Sequence, residues 1–430
     1  MSYLIEELCK HNDNEKNCYV MLTDKKIFVI LSILLFVAGL CDYRSAMNNM
    51  EYIFYGLTIG VVCIHILLNG ISIPKRYLIS LSLFIAVCTI NAVISQYCVN
   101  IFQFLIGMAV TLIPFSYFII GYNYKFNDKE ITQFIDTIIK VAIIIDVISL
   151  CETFIFNSAN LIVGFVGSSI FWFQYLASIN NQVIILCLAL YKISNSRRYI
   201  YYIIICILYV LLSIQLKTYV GLILILVGYT LIYSKHNIIV NLLKIGLTLS
   251  VLLIVILQIP RITNKIEHYN DIYVTDNQGV ARTELYNTAI DIALDHFPLG
   301  SGQGTYGSIP ANTYDSKVYQ DYQLEYVWGL SKYDDMNFRM DTHWASILGE
   351  NGVLGTILYL LIYLLPLFSI RKCRTQYKEY YFIITMCFIV ISIESLTLNL
   401  VGRLPFIIIY AGLSGLILRR ISQQYKLNNK

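Results

Sequence analysis

Charged residues are scarce in this sequence. Asp, Glu, Lys and Arg make up 13% of its 430 residues, whereas 57% are hydrophobic. A soluble protein of this length needs more charge to keep its surface in contact with water. The apolar residues also form long runs, such as 27–40 and 240–259, and roughly 17–25 mostly apolar residues are enough to cross a bilayer as a helix. The sequence therefore predicts an integral membrane protein.

Features of exported soluble proteins are missing as well. The first 26 residues mix acidic and basic side chains, among them Glu6, Lys10 and Asp13, so no cleavable signal peptide is predicted. The longest polar segment, 260–342, contains no cysteine, which excludes a disulfide framework there. No compact cluster of metal-ligating residues is visible, so neither a metal nor another cofactor is expected.

The hydrophobic runs predict an all-α polytopic membrane protein with about twelve transmembrane helices. These spans are expected near residues 27–41, 52–68, 77–95, 101–122, 131–156, 171–193, 199–216, 218–233, 240–260, 344–370, 381–401 and 404–418. No inverted repeat of the spans is visible, which weighs against a secondary transporter.

Lysines and arginines are unevenly divided between the loops that connect these spans. If the N-terminus is cytoplasmic, the short loops on the opposite side contain only Arg44, Lys217 and Arg403. This is the bias expected of a membrane protein with its basic loops inside, so the net charge of +4 indicates topology and not nucleic-acid binding. An odd number of spans before residue 260 then places the segment 260–342 outside the membrane.

The chain is accordingly expected to have five parts. They are a cytoplasmic N-terminal segment (1–26), spans one to nine (27–259), a large extracytoplasmic loop (260–342), spans ten to twelve (343–418) and a cytoplasmic tail (419–430). Within the loop, helical spacing of apolar residues predicts a helix over 281–297 that ends before Pro298. Its apolar face is expected to contain Leu285, Ala289, Ile292 and Ala293.

A glycine-rich stretch follows this predicted helix. Gly302, Gly304 and Gly307 fit the pattern G-x-G-x-x-G, but no strand precedes them and no dinucleotide is available outside the membrane. The two remaining interpretations are a tight turn at the membrane surface and a loop whose backbone closely approaches a ligand.

A second group of residues lies where the loop re-enters the membrane. His343 is expected at the interface, with Glu350 two helical turns further on. A neutral imidazole can accept a proton from a sugar hydroxyl. The alternative is an interfacial histidine that packs beside Trp344 and has no chemical role.

Ionisable residues near or within the spans form the third group. Arg282, Lys217 and Arg403 are cations on the outer side, which suits a diphosphate, although Lys217 and Arg403 could instead reach towards the interface as long basic side chains commonly do. Asp136 and Lys140 are spaced to neutralise one another. Asp146 and Glu394 have no evident partner, and they are expected either to line a cavity or to pack within the bundle.

These motifs together resemble the bacterial O-antigen polymerase and O-antigen ligase superfamily. The resemblance rests on Arg282 before an amphipathic helix, then FPLGSGQGTYG, then His343 at the head of THWASILGENGVLG. It implies a GT-C-like membrane glycosyltransferase, a polyprenyl-diphosphate-sugar donor, and a bacterial cytoplasmic membrane with both termini inside. By position, Arg282, Lys217 and Arg403 would hold the diphosphate and His343 would act near the acceptor hydroxyl. Two departures from the family pattern are Trp344 in place of Asn and Lys217 in place of Arg.

The function that this resemblance favours is polymerisation of undecaprenyl-diphosphate-linked oligosaccharide repeats into O-antigen or capsule outside the membrane. It implies membrane lipid and a chain-length regulator protein as further partners, and no nucleic acid. One alternative is the ligase that transfers finished polymer to a lipid acceptor. A flippase or transporter is the other, but it should show charges spread along a central cavity and only short loops.

Overall fold

The computed structural model describes residues 15–41, 46–156, 173–213, 215–233, 281–334 and 338–428, together with the isolated positions 240 and 246. The regular secondary structure of these ranges is helical, and they contain no β-strand. Apart from positions 240 and 246, the predicted ninth span, 240–260, and the first part of the large loop lie outside the described residues.

The helices of the described ranges are α1 (Glu15–Leu40), α2 (Ala46–Asn69), α3 (Lys75–Ile94), α4 (Ile101–Asn123), α5 (Asp128–Phe156), α6 (Phe173–Ser194), α7 (Arg198–Leu212), α8 (Leu216–Tyr233), α9 (Ala281–Asp295), α10 (Ile309–Thr313), α11 (Val318–Asp321), α12 (His343–Arg371), α13 (Lys378–Glu394), α14 (Leu404–Ile407) and α15 (Leu413–Asn428). A short 3-10 helix, Leu324–Tyr326, follows α11, and a π-helical turn, Ile408–Gly412, joins α14 to α15.

Six helical stretches of the described chain are long and apolar enough to cross a membrane. They are Lys75–Ile94, Ile101–Asn123, Tyr175–Ser194, Leu216–Tyr233, His343–Arg371 and Leu404–Tyr425, and Tyr55–Leu68 and Arg198–Leu212 are shorter apolar helices. The protein is therefore a multi-pass membrane protein. The count of twelve spans and the outer placement of the large loop stay predictions.

The helices pack around one large apolar core. Helix α6 lies against α5, α7, α8 and α13, and α4 lies against α15, while α12 contacts both α3 and the loop helix α9. Large side chains such as Phe84, Tyr209 and Phe382 are buried in this core. The bundle therefore brings the ends of α6, α8, α12 and α13 into one neighbourhood.

Helix α12 is broken at Gly352. The backbone there has φ 63° and ψ −165°, so two helical segments meet at this residue. His343 Nε2 lies 3.1 Å from the hydroxyl of Tyr359, which is 16 residues further along. In a straight helix these residues would be about 24 Å apart. The segment that begins at His343 must therefore fold back on the second segment, whereas the sequence predicted one continuous span.

The helix predicted over 281–297 is confirmed as α9. Leu285, Ala289, Ile292 and Ala293 are buried, as the helical pattern predicted. With Tyr306, Val318, Tyr319 and Leu330 among others, this face builds a second, smaller apolar core beneath the loop. The described part of the loop is thus a packed unit that rests on α12.

Candidate active site

Arg282 and Asp341 form an ion pair that joins the two ends of the described loop. Arg282 lies in the first turn of α9, and its Nη2 donates to Asp341 Oδ2 at 2.6 Å. Asp341 comes two residues before α12. Burial raises the pKa of the Asp341 carboxyl, and the Arg282 and Lys217 cations offset only part of that effect. The pair therefore fixes Arg282 directly beside the segment that carries His343.

Lys217 and Glu394 lie next to this ion pair. Lys217, in the first turn of α8, interacts electrostatically with Glu394, Arg282 and Asp341. Glu394 is the last residue of α13 and is fully buried. Asn181, on α6, donates one amide hydrogen to Glu394 Oε1 at 2.7 Å and the other to the carbonyl of Thr218 at 2.9 Å. The structure thus groups two cations and two carboxylates that are distant in sequence.

Several buried polar atoms around this group lack a hydrogen-bond partner among the described residues. They are Glu394 Oε2, Asn181 Oδ1, Arg282 Nε, Thr342 Oγ1, Ser395 Oγ and both side-chain polar atoms of Gln215. Within the same residues, no hydrogen bond or ion pair of the Lys217 ammonium is seen. A buried polar atom without a partner costs about 1–3 kcal/mol. Ordered water or a polar ligand satisfies such atoms in folded proteins.

His343 is buried with both ring nitrogens engaged. Nδ1 lies 3.1 Å from Asn399 Oδ1, and Nε2 lies 3.1 Å from the Tyr359 hydroxyl. Since Asn399 Oδ1 already accepts the amide hydrogen of Gly402, the hydrogen of the neutral ring belongs on Nδ1. Nε2 then accepts the hydroxyl hydrogen of Tyr359. In this arrangement His343 has no lone pair available to a substrate.

Glu350 binds the glycine-rich loop. Its Oε2 accepts from Gln303 Nε2 at 3.0 Å, its Oε1 accepts from the backbone N–H of Tyr306 at 3.1 Å, and its own carbonyl accepts from Gly302. Gly304 has φ 83°, and a Cβ there would collide with the backbone of Gln103. The loop therefore donates two hydrogen bonds to a carboxyl group of the chain itself.

Arg403 lies at another point of the same end of the bundle. Its guanidinium is 5.1 Å from the ring centre of Tyr175, in the first turn of α6, and it interacts with that ring as a cation with a π-system. The segment between α13 and α14 carries both Arg403 and Asn399, the partner of His343. The structure brings Arg282 and Lys217 together, whereas the printed contact of the Arg403 guanidinium is with the Tyr175 ring.

The remaining charges predicted within the spans have ordinary partners. Asp136 forms ion pairs with Lys140 at 2.8 Å, which confirms that predicted pair, and with Arg198 at 3.1 Å. Asp146 is fully buried and accepts from Asn180 Nδ2 at 2.9 Å. Neither residue approaches the group around Lys217.

Sequence reasoning missed Asp341, Asn181, Asn399 and Tyr359 as members of the site. One signal for Asn181 was present, because three amide residues stand in succession within an apolar helix, Asn180, Asn181 and Gln182. Side-chain amides are costly in such a helix unless they have partners or a ligand. No comparable signal marked Asn399 or Tyr359.

The central part of the chain is similar to a known protein family. A family model described as O-antigen ligase matches residues 201–360. This match, over 160 of the 430 residues, is consistent with the O-antigen polymerase and ligase superfamily that the motifs resemble. The part that matches the superfamily contains Lys217, Arg282, His343 and Glu350, while Glu394 and Arg403 lie beyond it. No curated protein matches the chain.

The match supports a membrane function of the O-antigen polymerase or ligase type, and the matched family implies a lipid-linked oligosaccharide substrate. The matched part of the chain contains both cations of the group, Lys217 and Arg282, and Asp341, whereas Glu394 lies beyond it.

Proposed function

We propose that the protein is a glycosyltransferase that joins polyprenyl-diphosphate-linked oligosaccharide repeats on the outer face of the cytoplasmic membrane. The observation that carries the proposal is the proximity of two cations, Arg282 and Lys217, among buried polar atoms that lack partners in the described chain. Nucleotide sugars are not available outside the membrane. The sugar donor used there must therefore carry its own leaving group. A polyprenyl diphosphate is such a group.

Arg282 and Lys217 are the proposed contacts of the diphosphate. Its negative charge grows as the glycosidic bond to it breaks, and fixed cations stabilise that charge most effectively where water is excluded. Arg282 retains donors for this purpose because Asp341 engages Nη2 while Nε lacks a partner among the described residues. Asp341 then orients the guanidinium, and Arg403 stays a candidate for a more distant part of the donor.

Ligation is the second candidate, because the matching family model bears that description. The two reactions share the lipid-linked donor and differ in the acceptor, which is a sugar of a second lipid-linked repeat in one case and a lipid core in the other. A flippase has less support. Within the described spans, the buried carboxylates Asp146 and Glu394 are held by amide side chains and do not line a continuous charged path.

The test is Arg282→Ala in the native host, followed by gel display of the surface glycolipid. If the protein is a polymerase, the variant should still form lipid core with a single repeat but should lose the ladder of longer chains. Removal of one hydrogen-bond donor that stabilises the developing charge lowers turnover on the order of 10²–10³-fold. Loss of the single repeat as well would indicate ligation or flipping. An unchanged ladder would refute the assignment of this site.

Arg198→Ala is the matched control. Like Arg282, Arg198 pairs with an aspartate and is partly exposed, the two side chains being 48% and 39% exposed. It lies in another ion-pair group, beside Asp136 and Lys140. The control should preserve the ladder, with immunoblots showing equal amounts of both variants.

A further inference from the structure

A cavity of about 660 Å³ lies between α1 and α5, and this volume is in the range usual for small-molecule sites. Arg198, at the start of α7, pairs with Asp136 in the wall of the cavity. Lys217 follows the other end of α7, which has 15 residues and is therefore about 22 Å long. The cavity and the cation site around Lys217 thus lie near opposite ends of this helix.

The two carboxylates in the wall of this cavity already have cations beside them. The Lys25 ammonium donates to both oxygens of Glu130, at 2.9 and 3.1 Å. Asp136 pairs with Lys140 at 2.8 Å and with Arg198 at 3.1 Å. The protein itself therefore neutralises both negative charges of the wall, and neither carboxylate is left to repel an incoming anion.

Lys26 adds a positive charge to the cavity that these carboxylates do not balance. It makes no hydrogen bond or ion pair with any residue that the structure describes, and it is exposed. The Lys140 side chain is half-exposed, and its ammonium has three N–H donors, of which the ion pair with Asp136 uses one. Two lysines with donors to spare in one cavity suit a phosphate, which binds ammonium groups through strong charge-assisted hydrogen bonds.

The rest of the cavity wall is apolar and continues onto the outer surface of the bundle. Val29, Ile30 and Phe134 line it. Ile30 is exposed, and so are Leu34, one helical turn further along α1, and Ile144, further along α5. Apolar side chains on the outside of membrane-spanning helices face the acyl chains of the bilayer. The cavity therefore offers cations to a head group and an apolar surface to a chain attached to it.

We propose that this cavity is a binding site for one anionic phospholipid of the adjoining membrane leaflet. The phosphate contacts the ammonium groups of Lys26 and Lys140, and an acyl chain lies along Ile30 and Phe134. By the predicted topology this is the cytoplasmic side, where basic pockets between spans bind anionic lipid head groups. A soluble phosphate compound suits the cavity less well, because it leaves the apolar wall uncovered. The lipid site is independent of the reaction proposed above.

Native mass spectrometry of the delipidated full-length protein, in a neutral detergent, measures the Kd of the first bound lipid. The probes are dioleoyl-phosphatidylglycerol and dioleoyl-phosphatidylcholine, which have the same chains and differ in net charge. We expect the anionic lipid to bind about tenfold more tightly or better. Lys26→Gln should weaken its binding about fivefold, as expected for one lysine at a membrane surface, and the double variant Lys26→Gln/Lys140→Gln should weaken it further. Lys26→Arg keeps the charge and should stay within about twofold of the wild type.

Lys75→Gln/Lys372→Gln is the matched control for the double variant. Both lysines are exposed and predicted on the same side of the membrane, but they do not line the cavity. The control should keep the affinity for phosphatidylglycerol within about twofold of the wild type, because only general surface attraction is reduced. Equal losses in the two double variants, or equal affinities of the wild type for the two lipids, would overturn the inference.

Glycerophosphoglycerol, the same head group without its chains, separates a lipid site from a site for soluble phosphodiesters. For a lipid site it should bind far more weakly than phosphatidylglycerol, because it cannot cover Ile30 and Phe134. If it binds as tightly as the lipid, the cavity recognises a soluble compound and the lipid assignment is wrong.

Discussion

At the scale of single residues, the space at Gly221 is a requirement of the site. Gly221→Ala would place a methyl group against Glu394 Oε1 and Asn181 Nδ2. Since both belong to packed helices, we expect the carboxylate to shift and polymer formation to fall at least tenfold, with overpacking costing about 1–3 kcal/mol of stability. Gel ladders and thermal unfolding of the purified protein measure the two effects.

Gly60→Ala is the control for that substitution, because a Cβ at Gly60 meets nothing within 4 Å. It should leave both ladder and stability unchanged. If Gly221→Ala also keeps a full ladder, the close approach of α8 to Glu394 has no bearing on the reaction.

Tyr359 is the second residue whose removal has a specific consequence. Tyr359→Phe keeps the ring, which packs against Phe84 and Phe115, but leaves His343 Nε2 without its partner. We expect a loss of about 1–3 kcal/mol, the cost of one unpaired buried polar atom, as a lower midpoint of thermal unfolding. Tyr326→Phe removes a hydroxyl from a side chain that is 89% exposed and should change nothing. Equal midpoints for both variants would contradict the bond to His343.

Individual site residues could be read from the sequence only where a motif marked them. The motifs around Arg282 and His343 marked these two residues. Lys217 was marked by its place among the short outer loops, which contain few basic residues. Their partners were not marked, because Asp341 is 59 residues from Arg282 and Glu394 is 213 residues from Asn181. Such pairs depend on which helices become neighbours, and hydrophobic periodicity gives no information about that.

At the scale of elements, the described part of the large loop is held by a buried arginine. Arg339 is fully buried, with Nε bonded to the carbonyl of Leu330 at 2.6 Å, Nη1 to Asp315 at 3.3 Å, and its guanidinium 4.1 Å from the ring centre of Tyr319. Arg339→Met removes these donors and leaves the Leu330 carbonyl unpaired. We expect the loop to be cut faster by protease, by about tenfold, because its local unfolding becomes about 1–3 kcal/mol easier.

Lys332→Met serves as the comparison. Lys332 also pairs with Asp315, at 2.5 Å, but its side chain is 40% exposed, and exposed ion pairs contribute little. Its cleavage rate should stay within about twofold of the wild type. Equal rates for Arg339→Met and the wild type would mean that Arg339 does not hold the loop.

A helix could be predicted from the sequence where the spacing of its own apolar residues determines it. Helix α9 followed from the spacing of Leu285 and Ile292. The break at Gly352 did not, because a glycine within an apolar run is compatible with a continuous helix at a cost of about 1 kcal/mol. What decides the break is the glycine-rich loop, since a Cβ at Gly352 would overlap the backbone of Leu299. The fold-back that brings His343 to Tyr359 is thus a tertiary effect.

At the scale of the whole molecule, the proposal depends on which side of the membrane the site faces. The predicted arrangement has Arg282 and His343 outside and the turn between α12 and α13 inside, with Arg371 at the end of α12 and Lys372 and Arg374 in that turn. Basic residues near the ends of spans are retained on the cytoplasmic side. This orientation came from the distribution of charge and stays a prediction.

Cysteine labelling in spheroplasts tests it directly. In a cysteine-free background that still forms polymer, we would introduce Tyr333→Cys in the loop and Thr375→Cys in the turn, both at exposed positions. A membrane-impermeant maleimide should label position 333 at once and position 375 only after permeabilisation. The reverse pattern would place the cation cluster on the cytoplasmic side, where nucleotide sugars are available and a lipid-linked donor is not required. The topology predicted from the charge distribution would then be wrong, and so would the proposed polymerase reaction.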